Sequence, residues 1–187
     1  ALKIARMSTG RHKTISMWGS FHGATLDAIS VGGEAIFRRQ MGPLMPGTIH
    51  VPAPDPSRCS LGCGGSCGVE GTSGYAGMPC AGALEQALES EGDVAAVIAE
   101  PIRCTTVAIP PVGYWERIRR ACDRHGALLI FDEIPTCLGR TGRMFASEHT
   151  GVTPDILVIG KGLGGGVFPL AATLVRDNLI DGTNSAL

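Results

Sequence analysis

The chain has 187 residues, of which 44% are hydrophobic and 18% charged, and its formal net charge is −1. This is enough for one sizeable core or part of a larger one, and it supplies no basic patch for nucleic acid or an anionic membrane surface. No apolar run approaches the roughly 20 residues that cross a bilayer. The first residue is not Met, so the chain reads as a fragment or the visible part of a longer polypeptide, and the want of a leader carries no weight.

In chain order, residues 1–9 read as the second half of an amphipathic helix, with Leu2, Ile4 and Ala5 on one side. A short strand is expected over Thr14–Trp18, followed through Gly19 and Gly23 by a small helical patch. From about 42 to 78 the sequence turns rich in Gly, Pro, Ser and Cys, and no period survives, which predicts a long loop. Regular structure returns with a helix at "AGALEQALESEG", where Leu84 and Leu88 share a face. Then come a buried strand, "DVAAVIAEP", a helix, "GYWERIRRACDRHG", and three more apolar strands, "ALLIFDE", "DILVIG" and "LAATLV". Helices alternating with near-continuous apolar strands predict an α/β fold, three layers around a mostly parallel sheet.

Seven cysteines is an odd number. Cys104, Cys122 and Cys137 fall in apparent core elements, which argues against a secreted disulfide framework and for reduced thiols in a cytoplasmic protein. Cys59, Cys63, Cys67 and Cys80 could supply four thiolates to a metal, but the C-x₃-C-x₃-C spacing is not the usual zinc pattern, so no metal is assigned.

In parallel sheets, ligands bind outside the carboxyl ends of the strands. Three polar residues stand at those ends: Glu100, Asp132 and Lys161. Gly160, Gly162 and Gly165 match G-x-G-x-x-G, but they lead into Pro169 and a strand rather than a helix, and a dinucleotide site fails on that context. A Schiff-base lysine fits better. A desolvated lysine amine can attack an aldehyde, surrounding glycines let a bulky group approach, and a buried aspartate can hold a pyridinium nitrogen protonated.

The stretch "LLIFDEIPTCLGRTGRMFASEHTGVTPDILVIGKGLGGGVFPLAATLV", together with "TGRHKTISMWGSFHGATLDAIS" and "VAAVIAEPI", resembles the class III aminotransferases, pyridoxal-phosphate enzymes of fold type I. The resemblance spans nearly the whole chain apart from the Cys-rich stretch. It implies that residues 1–187 are the central portion of the cofactor-binding large domain of a longer subunit, with a homodimer as the working unit. It further implies Lys161 as the internal aldimine and proton shuttle and Asp132 on the pyridine nitrogen. Phe21 would stack on the ring, His22 would lie beside it, and Glu100 would approach the ring and substrate side.

Each residue also has a plainer reading. Lys161 could be solvated surface, Phe21 core, His22 a satisfied buried histidine, Glu100 a cap on the turn before Pro101, and Asp132 and Glu133 turn caps. Arg140 and Arg143 are expected to hold their loop by hydrogen bonds, and Arg103 to be a solvated or structural guanidinium, with an anion contact as the alternative. Two departures from the family pattern stand out: Pro135 replaces a glutamine that contacts the ring oxygen, and "EPIRCT" replaces E-P-I-Q-G-E, so that Thr105 stands for the second Glu. The resemblance implies transamination of a primary amine or amino acid, with a keto acid as possible acceptor, while Pro135 and Thr105 favour a reaction that needs no second substrate. The alternatives are an ammonia-lyase or racemase of the same fold and, from another class, a non-catalytic binding or assembly piece.

Overall fold

The computed structural model describes residues 1–62 and 77–179. Its elements are α1 (Leu2–Thr9), β1 (Lys13–Met17), α2 (Leu26–Val31), α3 (Ala35–Arg38), β2 (Thr48–Val51), α4 (Pro79–Glu91), β3 (Val94–Ala99), α5 (Tyr114–His125), β4 (Leu128–Asp132), α6 (Ser147–Thr150), β5 (Ile156–Ile159) and β6 (Ala172–Val175). The strands form one sheet in the order β2-β1-β3-β4-β5-β6. β1 to β5 are parallel, and β6 returns antiparallel to β5, with Ile159 opposite Ala172.

The central strands read as apolar runs because both of their faces are covered. On one face Val97, Leu129 and Phe131 pack with Leu84 and Leu88 of α4 and with Trp115 and Ile118 of α5. On the other, Ala96, Ile98, Ile130 and Ile156 pack with Ala5 and its neighbours in α1. Leu84, Leu88 and Ile118 are fully buried, and each contributes about 1.5–3 kcal/mol over an exposed position. Pro79 opens α4, where a missing N–H costs nothing. Gly126, at φ +62°, ends α5. Asp155, buried just before β5, accepts from Arg119 at 2.6 Å, from the Leu129 N–H at 2.8 Å and from Arg176 at 3.0 Å, so it ties α5, β4 and the end of β6 together.

Two elements depart from the sequence reading. Inside the expected loop of 42–78, Thr48–Val51 form β2, paired with β1 from Thr14↔Thr48 to Met17↔Val51. Four residues between Gly47 and Pro52 are too few for a period to register, and pairing with β1 supplies what local pattern does not. β6 is antiparallel and largely exposed, although its composition matches that of the buried strands. Cys63 and Cys67 lie outside the described residues; among the described ones, no group of three or more His, Cys, Asp or Glu is placed to hold a metal ion. No described helix is long and apolar enough to cross a membrane.

Candidate active site

The chain steps from β1 out to β2, then passes back across β1 to β3, so the strand order reverses between β1 and β3. A crevice opens at the carboxyl ends of strands that diverge in this way. Trp18 to His22 follow β1, Glu100 follows β3, Asp132 ends β4 and Lys161 follows β5, so the fold gathers every sequence-expected site residue on one rim.

Asp132 and His22 meet there directly. His22 Nδ1 lies 2.9 Å from Asp132 Oδ2, and the two side chains are 1% and 5% exposed. The other oxygen, Oδ1, accepts the Ile134 N–H at 3.1 Å. An ionised carboxylate partner selects the Nδ1–H tautomer of the imidazole. His22 Nε2 is then left buried without a partner. A buried carboxylate with one imidazole and one backbone N–H is short of positive charge. Asp132 therefore serves both its plain role, as a turn acceptor, and as one half of a buried polar pair.

Glu100 is held differently. Its Oε1 accepts the Phe21 N–H at 3.3 Å and its Oε2 the Cys104 N–H at 2.9 Å. Both oxygens are used by backbone, so Glu100 braces the loop after β1 against the loop after β3 and caps the turn behind Pro101. Phe21 is half-buried, its ring centroid 4.5 Å from that of Phe37. Behind them, Gly33 donates its N–H to Ser20 and presses on the β1 end so closely that a Cβ would collide with Met17 O and Gly19 N.

Lys161 is exposed, so the desolvation expected of it from the sequence is not met in the chain by itself, and it has φ +43°. For a residue with a Cβ this left-handed conformation costs about 1–2 kcal/mol, a strain that persists where surroundings enforce it and that clusters at functional sites. Lys161 lines a cleft of about 340 Å³ with Ile134, Pro135, Leu138, Arg140 and Gly162. A larger cleft of about 630 Å³ lies on the amino-terminal side of β5, around Asp155 and Arg176, and contains none of these residues.

Other expectations resolve as follows. Glu133, adjacent to Asp132, is wholly buried and accepts from Ala146 N at 2.6 Å and Ser147 N at 2.8 Å, so it is a structural cap. Arg140 and Arg143 are exposed, and their side chains make no hydrogen bond among the described residues; the loop is closed by backbone instead, with Gly139 N–H donating to Arg143 O at 3.1 Å. Cys122 and Cys137 are buried as expected, but Cys104 is exposed in the turn after β3. Its thiol is pushed up first by partial burial and then by the Glu100 carboxylate, with Lys161 acting in the opposite direction. Sequence reasoning missed Cys104 as a rim residue because it falls with Cys122 and Cys137 in apparent core elements, and no local signal sets it apart.

The residues fit pyridoxal phosphate on their own chemistry. The buried Asp132–His22 pair wants a cationic donor such as a protonated ring nitrogen, Lys161 offers an amine at the neighbouring strand end, and Gly165 and Gly166 leave open space beside it.

The profile of the family described as "Aminotransferase class-III" matches residues 1–186. The chain is 46% identical over 183 residues to the (R)-1-hydroxy-2-aminoethylphosphonate ammonia-lyase of Vibrio splendidus (strain 12B01), covering 95% of this chain and 38% of that protein. Among solved structures it resembles an amine transaminase from an uncultivated Pseudomonas species in the PLP-bound (internal aldimine) form, with TM-score 0.84, 34% identity, and coverage of 97% of this chain and 41% of that one. It also resembles a thermostable (S)-enantioselective omega-transaminase from Thermomicrobium roseum, with TM-score 0.86, 32% identity, and coverage of 99% and 42%. The chain thus spans about two-fifths of the length of these relatives. A family match from end to end, a shared fold type I sheet and a PLP-bound neighbour lead to one conclusion: the chain belongs to the class III aminotransferases, with pyridoxal phosphate as the implied cofactor.

Proposed function

We propose that the protein containing this chain is a pyridoxal-phosphate enzyme that acts on a primary amine or amino acid, with Lys161 as its reactive lysine. The observation that carries this reading is the rim itself: a buried carboxylate–imidazole pair and a strained lysine on adjacent strand ends. Bound pyridoxal phosphate supplies an electron sink for a carbanion formed beside the substrate nitrogen. Asp132, buttressed by His22, keeps a proton on the ring nitrogen, and Phe21 offers an apolar face to the ring. Lys161 Nζ provides the amine for covalent attachment and, once released, takes and returns a proton at the substrate carbon. Glu100 holds the Phe21 and Cys104 backbones in place. A homodimer, which the family resemblance implies, and a cytoplasmic location, read from the odd number of cysteines, belong to this proposal.

Between the two reactions the order expected from sequence is reversed, and release of ammonia is the better reading. The ammonia-lyase relative is 46% identical, against 32–34% for the transaminases. Thr105 stands where the family pattern has a second acid, and its hydroxyl donates to Gly19 O at 3.4 Å, so this position supplies no carboxylate to alternate between two substrates. Transamination is the second reading, supported by the transaminase neighbours.

The test is one turnover of the full-length protein with pyridoxal phosphate and no keto acid, on a panel of primary amines headed by 1-hydroxy-2-aminoethylphosphonate. Free ammonia with the cofactor's aldehyde form regenerated supports elimination. Stoichiometric pyridoxamine phosphate supports transamination. Neither product with any amine, and no cofactor band that borohydride fixes to Lys161, would sink both readings and leave a non-catalytic piece.

A further inference from the structure

The crevice between β1 and β3 is bridged by one guanidinium that the reaction does not use. Arg103 Nη2 donates to Asp55 Oδ2 at 2.7 Å, Nη1 to Trp18 O at 3.2 Å and Nε to Thr106 Oγ1 at 2.7 Å. Its side chain is 15% exposed and that of Asp55 5%. Asp55 is itself pinned, since its Oδ1 accepts the Ser57 N–H at 3.1 Å and the Ser57 hydroxyl at 2.7 Å. The guanidinium lies flush on the loop after β1: a Cβ at Gly19, which has φ +75°, would stand 3.0 Å from Nη1. On its own loop, Arg103 exchanges both backbone bonds with Ala108, at 3.0 and 3.1 Å, closing the turn that carries Cys104 and Thr105.

These bonds lie immediately beside the Glu100 brace. Glu100 joins Phe21 to Cys104, and Arg103, the residue before Cys104, joins Trp18 to Asp55. Three segments far apart in sequence, after β1, β2 and β3, therefore converge on one planar fork. Arg has the geometry for this and Lys does not, because a guanidinium presents several fixed donors while an ammonium is a compact point charge. An ion pair this buried is a poor source of net stability, yet removing one partner strands the other, so the pair suits fixing geometry better than adding stability.

We propose that Arg103 is a positioning residue, whose simultaneous bonds to Trp18 O and Asp55 fix the Phe21 wall and the Cys104–Thr105 turn relative to each other. The proposal deepens the functional reading above and takes from it the role of that wall. All three nitrogens of the Arg103 side chain are engaged by Asp55, Trp18 O and Thr106, so it acts through the loops it joins.

The test uses the full-length protein as wild type, R103K, R103Q and D55N. The first readout is hydrogen exchange at the Phe21 and Cys104 amides, the two that Glu100 accepts. In R103Q both should exchange about tenfold or more faster while the Leu129–Phe131 amides stay as in wild type, because a local clamp opens without the sheet. D55N should reproduce that pattern, and R103K should fall between R103Q and wild type. The second readout is the visible circular dichroism of bound pyridoxal phosphate, which should change in R103Q. The third is the kinetic split, with KM for the amine raised about fivefold or more and kcat altered less, as for a lost binding geometry. Wild-type exchange at Phe21 and Cys104 in R103Q, or a rise shared by all core amides, overturns the proposal. If no cofactor binds at all, the functional reading fails, and the exchange experiment still decides the role of Arg103.

Discussion

The loop after β4 and the loop after β5 leave neighbouring strands at the same rim, and they are built on opposite principles. Residues 133–146 are locked: Glu133, wholly buried, gathers Ala146 N, Ser147 N and the Thr136 hydroxyl, and Leu138 N–H donates to Met144 O at 2.6 Å. Residues 160–171 carry Lys161 at φ +43°, Gly165 and Gly166 at φ +60° and +76°, and an exposed Val167 and Phe168. The first loop is also the floor of the second. Ile134 lies against Gly160, Leu138 against Gly162, and the Cys137 thiol points at Gly160 O at 3.7 Å. The carboxylate of Asp132 precedes the locked loop and Lys161 opens the other, an arrangement that suits the fixed and the moving roles proposed for them. The difference teaches that two loops at one rim can be held by different devices: a buried carboxylate that gathers backbone N–H groups from across the first, and short backbone turns alone in the second, with left-handed glycines in both.

The largest effect that would break this comparison is at Lys161. K161A in the full-length protein should lower turnover by roughly 10³-fold or more and abolish covalent cofactor attachment, with little change in unfolding midpoint. A large loss of stability instead would make the open loop structural. Next is E133A, which leaves the Ala146 and Ser147 N–H groups buried without acceptors and should cost about 3 kcal/mol in urea unfolding. An effect under about 0.5 kcal/mol would mean that the loop is not held as described. G165A places a Cβ at φ +60° in open space, so the expected loss is strain alone, about 1 kcal/mol, with kcat falling more than cofactor affinity.

The core supplies a control for reactivity. Burial pushes the Cys122 thiol up to about 12, so at pH 8 only about 10⁻⁴ of it is thiolate, and iodoacetamide should label exposed Cys104 while leaving Cys122 intact until the chain unfolds. The smallest effect concerns pH. Asp55 is held below the usual carboxylate range, first by Ser57 and also by the Arg103 guanidinium, against the opposing effect of burial. A depressed carboxyl stabilises above its unfolded value, near 4, and that share is lost as pH falls through the lowered value. Exchange at Phe21 and Cys104, corrected for its intrinsic pH dependence, should therefore be flat from pH 7 to 5 and rise only below about 4.

Much of the fold was legible in the sequence because its signals are local. The helices at Leu84–Leu88 and Tyr114–His125, the buried runs ending in Glu100 and Asp132, and the glycines after Lys161 each declare themselves within a dozen residues, through periodicity, apolar continuity or turn chemistry. The rim residues were legible for the same reason: a polar residue at the end of an apolar strand is anomalous on its own. What the tertiary structure alone decided is who meets whom. That β1 lies between β2 and β3, that "TIHV" is a strand, and that β6 runs antiparallel and exposed all follow from pairing between distant segments, which no window contains. The same holds for His22 on Asp132, 110 residues apart, and for Arg103 on Asp55, 48 apart. A side chain's type sets what it can bond to, but its partner is set by where packing of the sheet and its covering helices brings the loops together.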